Sequence, residues 1–191
     1  MKVLSKFILV MFFLVSGLYG ARTEVIEESF DTGTDLCKMD IEIDAGSFHV
    51  QRSSSATTLK MRIEYDPSRC DIDYYYDEDD NEFELEIDHH GLGSRDNVGS
   101  DAPKIYLDLP YDTPIEFDSM IKAGEMELAL GGLSLKEFRL RSYAGETTVT
   151  FDEPNLVPME LLDIHCSVGE VELTNLGNAR FKRADINSGI G

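Results

Sequence analysis

An all-β chain, a β-solenoid stacked from repeats of ~20–24 residues, is predicted by three features of the sequence. First, a small residue followed by glycine recurs in Ala45-Gly46-Ser47, Ala123-Gly124-Glu125, Ala144-Gly145-Glu146, Val168-Gly169-Glu170 and Ser188-Gly189-Ile190. The last four glycines are 21, 24 and 20 residues apart. Second, apolar residues alternate with polar ones at the strand period on both sides of each glycine, but are three apart across it. Third, no segment after the N-terminal twenty residues sustains a helical period.

The slip at the glycine predicts a bulge or corner in every repeat, where glycine is suited by its access to positive φ and close backbone approach. Ile43, Ile121, Ser142, Cys166 and Ile186 stand three residues before it. Phe48, Met126, Thr147 and Val171 stand two after it, and Val50, Leu128, Val149 and Leu173 four after it. A second recurrence, Leu130, Leu133 and Phe138 with Leu173, Leu176 and Phe181, is spaced by 43 residues. Stacked repeats of this kind bury an apolar column that no single repeat could bury.

Residues 1–20 read as a secretory signal peptide. Lys2 and Lys6 precede an apolar run from Phe7 to Leu18, and small residues follow, with cleavage expected after Gly20 or one residue later. The run is shorter than the ~18 to 20 residues of a membrane span. The mature chain is therefore expected to be exported, to the periplasm, the cell surface or the medium, with no integral membrane segment. Its 15 basic against 37 acidic side chains give −22, a charge that repels phosphate and argues against nucleic-acid partners.

Two regions follow the signal. Residues 21–118 form a less regular N-terminal β region: Met39 to Ile43, Met61 to Tyr65, Ile72 to Tyr76, Phe83 to Ile87 and Ile105 to Leu109 alternate as half-buried strands. Turns are expected at Ser53 to Thr58 and Asp77 to Asn81, and a long loop from His89 to Pro103. Residues 119–191 form the repeat region. Cys37, Cys70 and Cys166 share strand parity with apolar neighbours and read as buried thiols, although export would permit a Cys37–Cys70 bridge.

Candidate chemistry is sparse. His89 and His90 are adjacent, so on a strand they face opposite ways and make a poor metal pair. Asp77 to Glu82 lacks the order of a calcium loop, and Gly91-Leu92-Gly93 opens no helix. Glu125, Glu146 and Glu170 share one repeat position and, stacked at ~4.8 Å, form a carboxylate column; it is a weak metal candidate and reads first as a solvated face. Nucleophile and metalloprotease motifs are absent, so no enzyme, cofactor or catalytic residue is expected. Tyr74, Tyr75 and Tyr76 leave a sugar-binding or sugar-active β-helix as an alternative.

The run Leu128-Ala129-Leu130-Gly131-Gly132-Leu133, Ala144-Gly145-Glu146, Glu153-Pro154-Asn155-Leu156-Val157-Pro158-Met159-Glu160, Val168-Gly169-Glu170 and Gly177-Asn178-Ala179-Arg180-Phe181 resembles the bacterial toast-rack family. That family is similar to the extracytoplasmic domains of LiaF-like, cell-wall-active antibiotic response proteins and to candidate surface-adhesin heads. The resemblance covers the chain from about Asp40 onward. It implies a non-catalytic β-solenoid at the cell envelope, a binding or scaffold module whose partner is an envelope protein or a polysaccharide. An envelope-stress regulatory domain is the alternative, but the chain lacks the membrane helices of LiaF-like proteins. It also stops at Gly191 part-way through a repeat. The expectation is a longer native protein or self-association through the C-terminal end.

Overall fold

The computed structural model describes residues 23–90 and 102–189. The predicted signal peptide, most of the loop after His89 and the last two residues lie outside that range. Ten strands form one connected sheet: β1 (Glu24–Asp31), β2 (Cys37–Arg52), β3 (Thr58–Tyr65), β4 (Cys70–Asp77), β5 (Glu82–His89), β6 (Lys104–Leu109), β7 (Ile115–Ala129), β8 (Leu135–Thr150), β9 (Met159–Thr174) and β10 (Phe181–Ser188).

Four long strands, β2, β7, β8 and β9, pair in parallel, and their shared frame places Gly46, Gly124, Gly145 and Gly169 side by side. Before the glycines, inward rows run Met39, Phe117, Phe138, Leu162 and Ile41, Ser119, Leu140, Ile164; after them, Val50, Leu128, Val149, Leu173. Most of these side chains are fully buried, and the Phe117 and Phe138 rings stack at 5.6 Å. Each such Leu, Ile or Phe contributes about 1.5 to 3 kcal/mol on burial. Ser119 sits among them because its hydroxyl donates to the Arg139 carbonyl.

The glycines do more than turn the chain. Gly124, Gly145 and Gly169 have φ of 143°, 128° and 130°. A Cβ on any of them would fall 1.8 Å from the carbonyl oxygen of the preceding glycine in the column. Gly46 begins the column, and there a Cβ would meet the Pro103 carbonyl and Ile105 at 2.9 Å.

Two expected correspondences fail. Ser188 pairs with Cys166, so Gly189 lies opposite Ser167 and not in the glycine column, and Ile186 lies opposite Ile164. Likewise Leu173 lies opposite Val149, which lies opposite Leu128, and Phe181 lies opposite Met159. The 43-residue recurrence is therefore out of frame with the pairing. The cause is loop length: residues 130–134, 151–158 and 175–180 join β7 to β8, β8 to β9 and β9 to β10 with unequal numbers of residues.

Those connections are held from within. Asn155, fully buried, accepts from the Leu135 N–H and donates to the Leu135 and Val157 carbonyls. One connection on, Asn178 donates to the Phe151 carbonyl and its own carbonyl accepts from Asn155 N–H. These side chains supply backbone partners where the ladder is interrupted.

The N-terminal region continues the stack without a break. The first half of β2 pairs with β5 and its second half with β6, while its opposite edge pairs with β7 across the 118/119 boundary. β4 closes one side as a hairpin with β5, and β3 and β1 extend the other in antiparallel order. At the far end, among the described residues, β10 pairs only with the first half of β9, and all its residues are exposed.

Candidate functional site

The outer face of the sheet carries the candidate site. Pairing places Met120, Arg141, His165 and Asn187 in one transverse row and Lys122, Tyr143, Ser167 and Gly189 in the next. Tyr143 stands half exposed at 49%, beside the two smallest residues of its row. A shallow trough of about 250 Å³ results, lined by Arg141, Ser142, Tyr143, His165 and Ser167. Val168, 61% exposed, follows at the adjoining corner.

Charge around the trough is compensated. Arg141 Nη1 lies 3.7 Å from Asp118 Oδ1, and His165 Nε2 lies 2.8 Å from Asp163 and 4.0 Å from Asp185. Lys122 Nζ contacts Asp44 at 2.7 Å and Glu42 at 3.0 Å, and these hydrogen bonds hold its pKa above the usual lysine value. For Asp44, burial works to raise the carboxyl pKa, but hydrogen bonds from Lys122 and the His89 N–H bring it below the ordinary value.

Toward β4 the same face turns acidic. Asp71 and Asp73 on β4, Glu84, Glu86 and Asp88 on β5 and Asp40, Glu42 and Asp44 on β2 point outward in adjoining rows. Asp40 records the crowding: burial, then Asp118, Glu42 and Glu82, raise its carboxyl pKa.

Glu125, Glu146 and Glu170 do pair into one column, continued by Ser47, and all three are exposed. Among the described residues no three His, Cys, Asp or Glu side chains gather to hold a metal. His90 pairs with Asp71 at 3.1 Å, while the His89 N–H donates to Asp44. Asp77 caps its own hairpin turn, accepting from the Asp79 and Asp80 N–H groups. Tyr74 and Tyr76 are half-buried, donating to Glu28 and to Asp31 and Asn81, and Tyr75 points outward.

All three cysteines are free and buried. A Cys37–Cys70 bridge is excluded by register: Lys38 lies opposite Glu82 at one end of β5, whereas Cys70 lies opposite His89 at the other. The seven residue steps from Glu82 to His89 span about 23 Å. Burial raises the Cys37 thiol to about 12, with Glu82 adding to it, and the Cys70 thiol to about 11, with Asp66 and Asp71 adding.

Arg141, Tyr143, His165 and Ser167 were not marked out by motif. Outward strand parity and the 24-residue spacing of Gly145 and Gly169 were the available signals, but many outward positions share both, and nothing in these four residue types singles them out.

The class is all-β, a mixed sheet of stacked, largely parallel strands. Residues 19–156 match the N-terminal domain of toast_rack, DUF2154, and the chain belongs to this family. Among solved structures, a candidate cell adhesion protein from Clostridium sporogenes superposes with a TM-score of 0.58 at 14% identity, over 87% of this chain and 98% of that one. Candidate adhesins from Bacteroides fragilis and Parabacteroides merdae are 12% and 7% identical. They cover 87% and 88% of this chain and 94% and 95% of theirs, with TM-scores of 0.35 and 0.25. At these identities the first match is a likeness of fold. No curated protein matches the chain.

Proposed function

We propose that this protein is an exported, non-catalytic β-solenoid that acts as a binding or scaffold module at the bacterial cell envelope. The observation that carries the reading is the unbroken frame of β2, β7, β8 and β9, which presents broad outer faces on a body with a continuous core. Membership of the toast-rack family and the fold likeness to a candidate adhesion protein support it. So does the described chain's lack of any helix long and apolar enough to cross a membrane. In this reading the repeats close into a solenoid, and residues 1–20 direct export. The second half of β9, which has no strand beside it on the β10 side among the described residues, offers an edge for self-association.

The test is fractionation followed by co-sedimentation. The full chain expressed in a bacterium should be recovered outside the cytoplasm, and the purified mature chain should pellet saturably with the producing bacterium's envelope fraction. Cytoplasmic retention, or a pellet no larger than that of an unrelated acidic protein, overturns the proposal.

A further inference from the structure

The trough on the outer face of β8 and β9 has the makings of a ligand site of its own. Its wall is the half-exposed ring of Tyr143, and in the same row Ser167 and Gly189 are too small to cover it. An aromatic ring left half exposed in a trough lining can take the polarised C–H groups of a flat aliphatic ring on its π-cloud, the ring's negative pole. Along the neighbouring row stand Arg141 and His165, with the Ser167 hydroxyl on the trough's lining. Arginine offers only donors, whereas the hydroxyl and the imidazole can donate or accept. A ligand suited to all of them carries hydroxyl groups around its rim and an apolar face.

Charge narrows the choice further. The cations near the trough already face carboxylates, Arg141 with Asp118 and Lys122 with Asp44 and Glu42, and His165 lies against Asp163. No net positive charge is left to draw in a phosphate or a uronate, and the chain's overall −20 opposes both. Volume matters too. At about 250 Å³ the trough lies below the range of drug-sized pockets, so it suits one ring rather than a buried chain. β8 and β9 are paired on both edges here, which leaves no backbone for an added peptide strand.

We propose that this trough binds a single pyranose ring of an uncharged glycan, its C–H face on Tyr143 and its hydroxyls bonded to Arg141, His165 and Ser167. The proposal rests on the envelope-binding reading for its biological setting, but not for its chemistry.

Saturation-transfer NMR on the mature chain tests it, with methyl α-glucopyranoside, methyl β-galactopyranoside and N-acetylglucosamine as probes and glucuronate as the anionic control. Saturation should reach the ring C–H protons of at least one neutral probe, and glucuronate should respond more weakly. Tyr143→Phe, which keeps the ring, should stay within twofold. Tyr143→Ala should lower affinity at least tenfold, and Ser167→Gln, which fills the trough from the β9 side, should do the same. Failure of all three neutral probes, or full transfer in both Tyr143→Ala and Ser167→Gln, overturns the site. Co-sedimentation of the same variants separates the two claims. If Tyr143→Ala binds neither probe nor less envelope than the parent, the sugar site stands but does not mediate envelope capture. If the parent binds sugar but no envelope, the envelope reading fails and the trough stands.

Discussion

The carbonyl oxygen of Gly124 lies 1.8 Å from where a Cβ on Gly145 would begin, and the Gly145 carbonyl stands in the same relation to Gly169. Backbone, not a flexible side chain, blocks the space, so β7 and β8 would have to separate to admit even a methyl group. The φ of 128° adds to the cost for any L side chain. We expect Gly145→Ala to lose about 3 to 5 kcal/mol, at the high end of single substitutions. Gly177, with nothing within 4 Å of an added Cβ, is the control, and Gly177→Ala should stay within about 1 kcal/mol. Urea titration measures both; equal midpoints for the two variants would mean the glycine column does not hold the corner. The glycines were legible because the apolar period slips by one residue at each. The carbonyl behind each glycine was not, since it belongs to a residue one whole repeat away.

Strands β2 to β6 were readable from alternation alone, because one face of each is apolar. β1 was missed: Glu28 shares a face with Ile26 and Phe30, where it accepts from Tyr74, and this breaks the apolar rhythm. The end of the stack was misread for a different reason. A fixed sequence offset equals a structural one only when connections are equal, and the connection that Asn155 stabilises is the longest of the three. The trough does not depend on the misread offset, because Gly145 and Gly169 already carry the 24-residue step from β8 to β9; its four residues were invisible as a group because their types do not set them apart from other outward positions. At this scale the acidic outer face of β4, β5 and β2 makes its own prediction. The pKa of Asp40 is raised in the folded chain, first by burial and then by Asp118, Glu42 and Glu82. A folded carboxyl that holds its proton more tightly than the unfolded one, near 3.9, costs stability when ionised. That cost is present above the raised folded value and disappears as pH falls below the unfolded one. Asp40→Asn should therefore raise the melting temperature at pH 7, and the gain should vanish near pH 3. An equal gain at both values would contradict this account.

The whole molecule is a stack in which neighbouring repeats are one strand apart, and both the proposed envelope role and the sugar site need its outer faces to stay in frame. Ser47, Glu125, Glu146 and Glu170 mark that frame on the surface. The native thiols do not interfere with labelling, because all three are buried and burial holds each pKa above that of a free thiol. Spin labels placed through Ser47→Cys and Glu170→Cys give the most direct test, read as a dipolar distance by electron paramagnetic resonance. Three strand spacings separate the two backbones by about 14 Å, although the residues are far apart in sequence. The stack predicts one narrow distance under about 20 Å once label linkers are included. A broad distribution, or a distance well beyond that value, would contradict it.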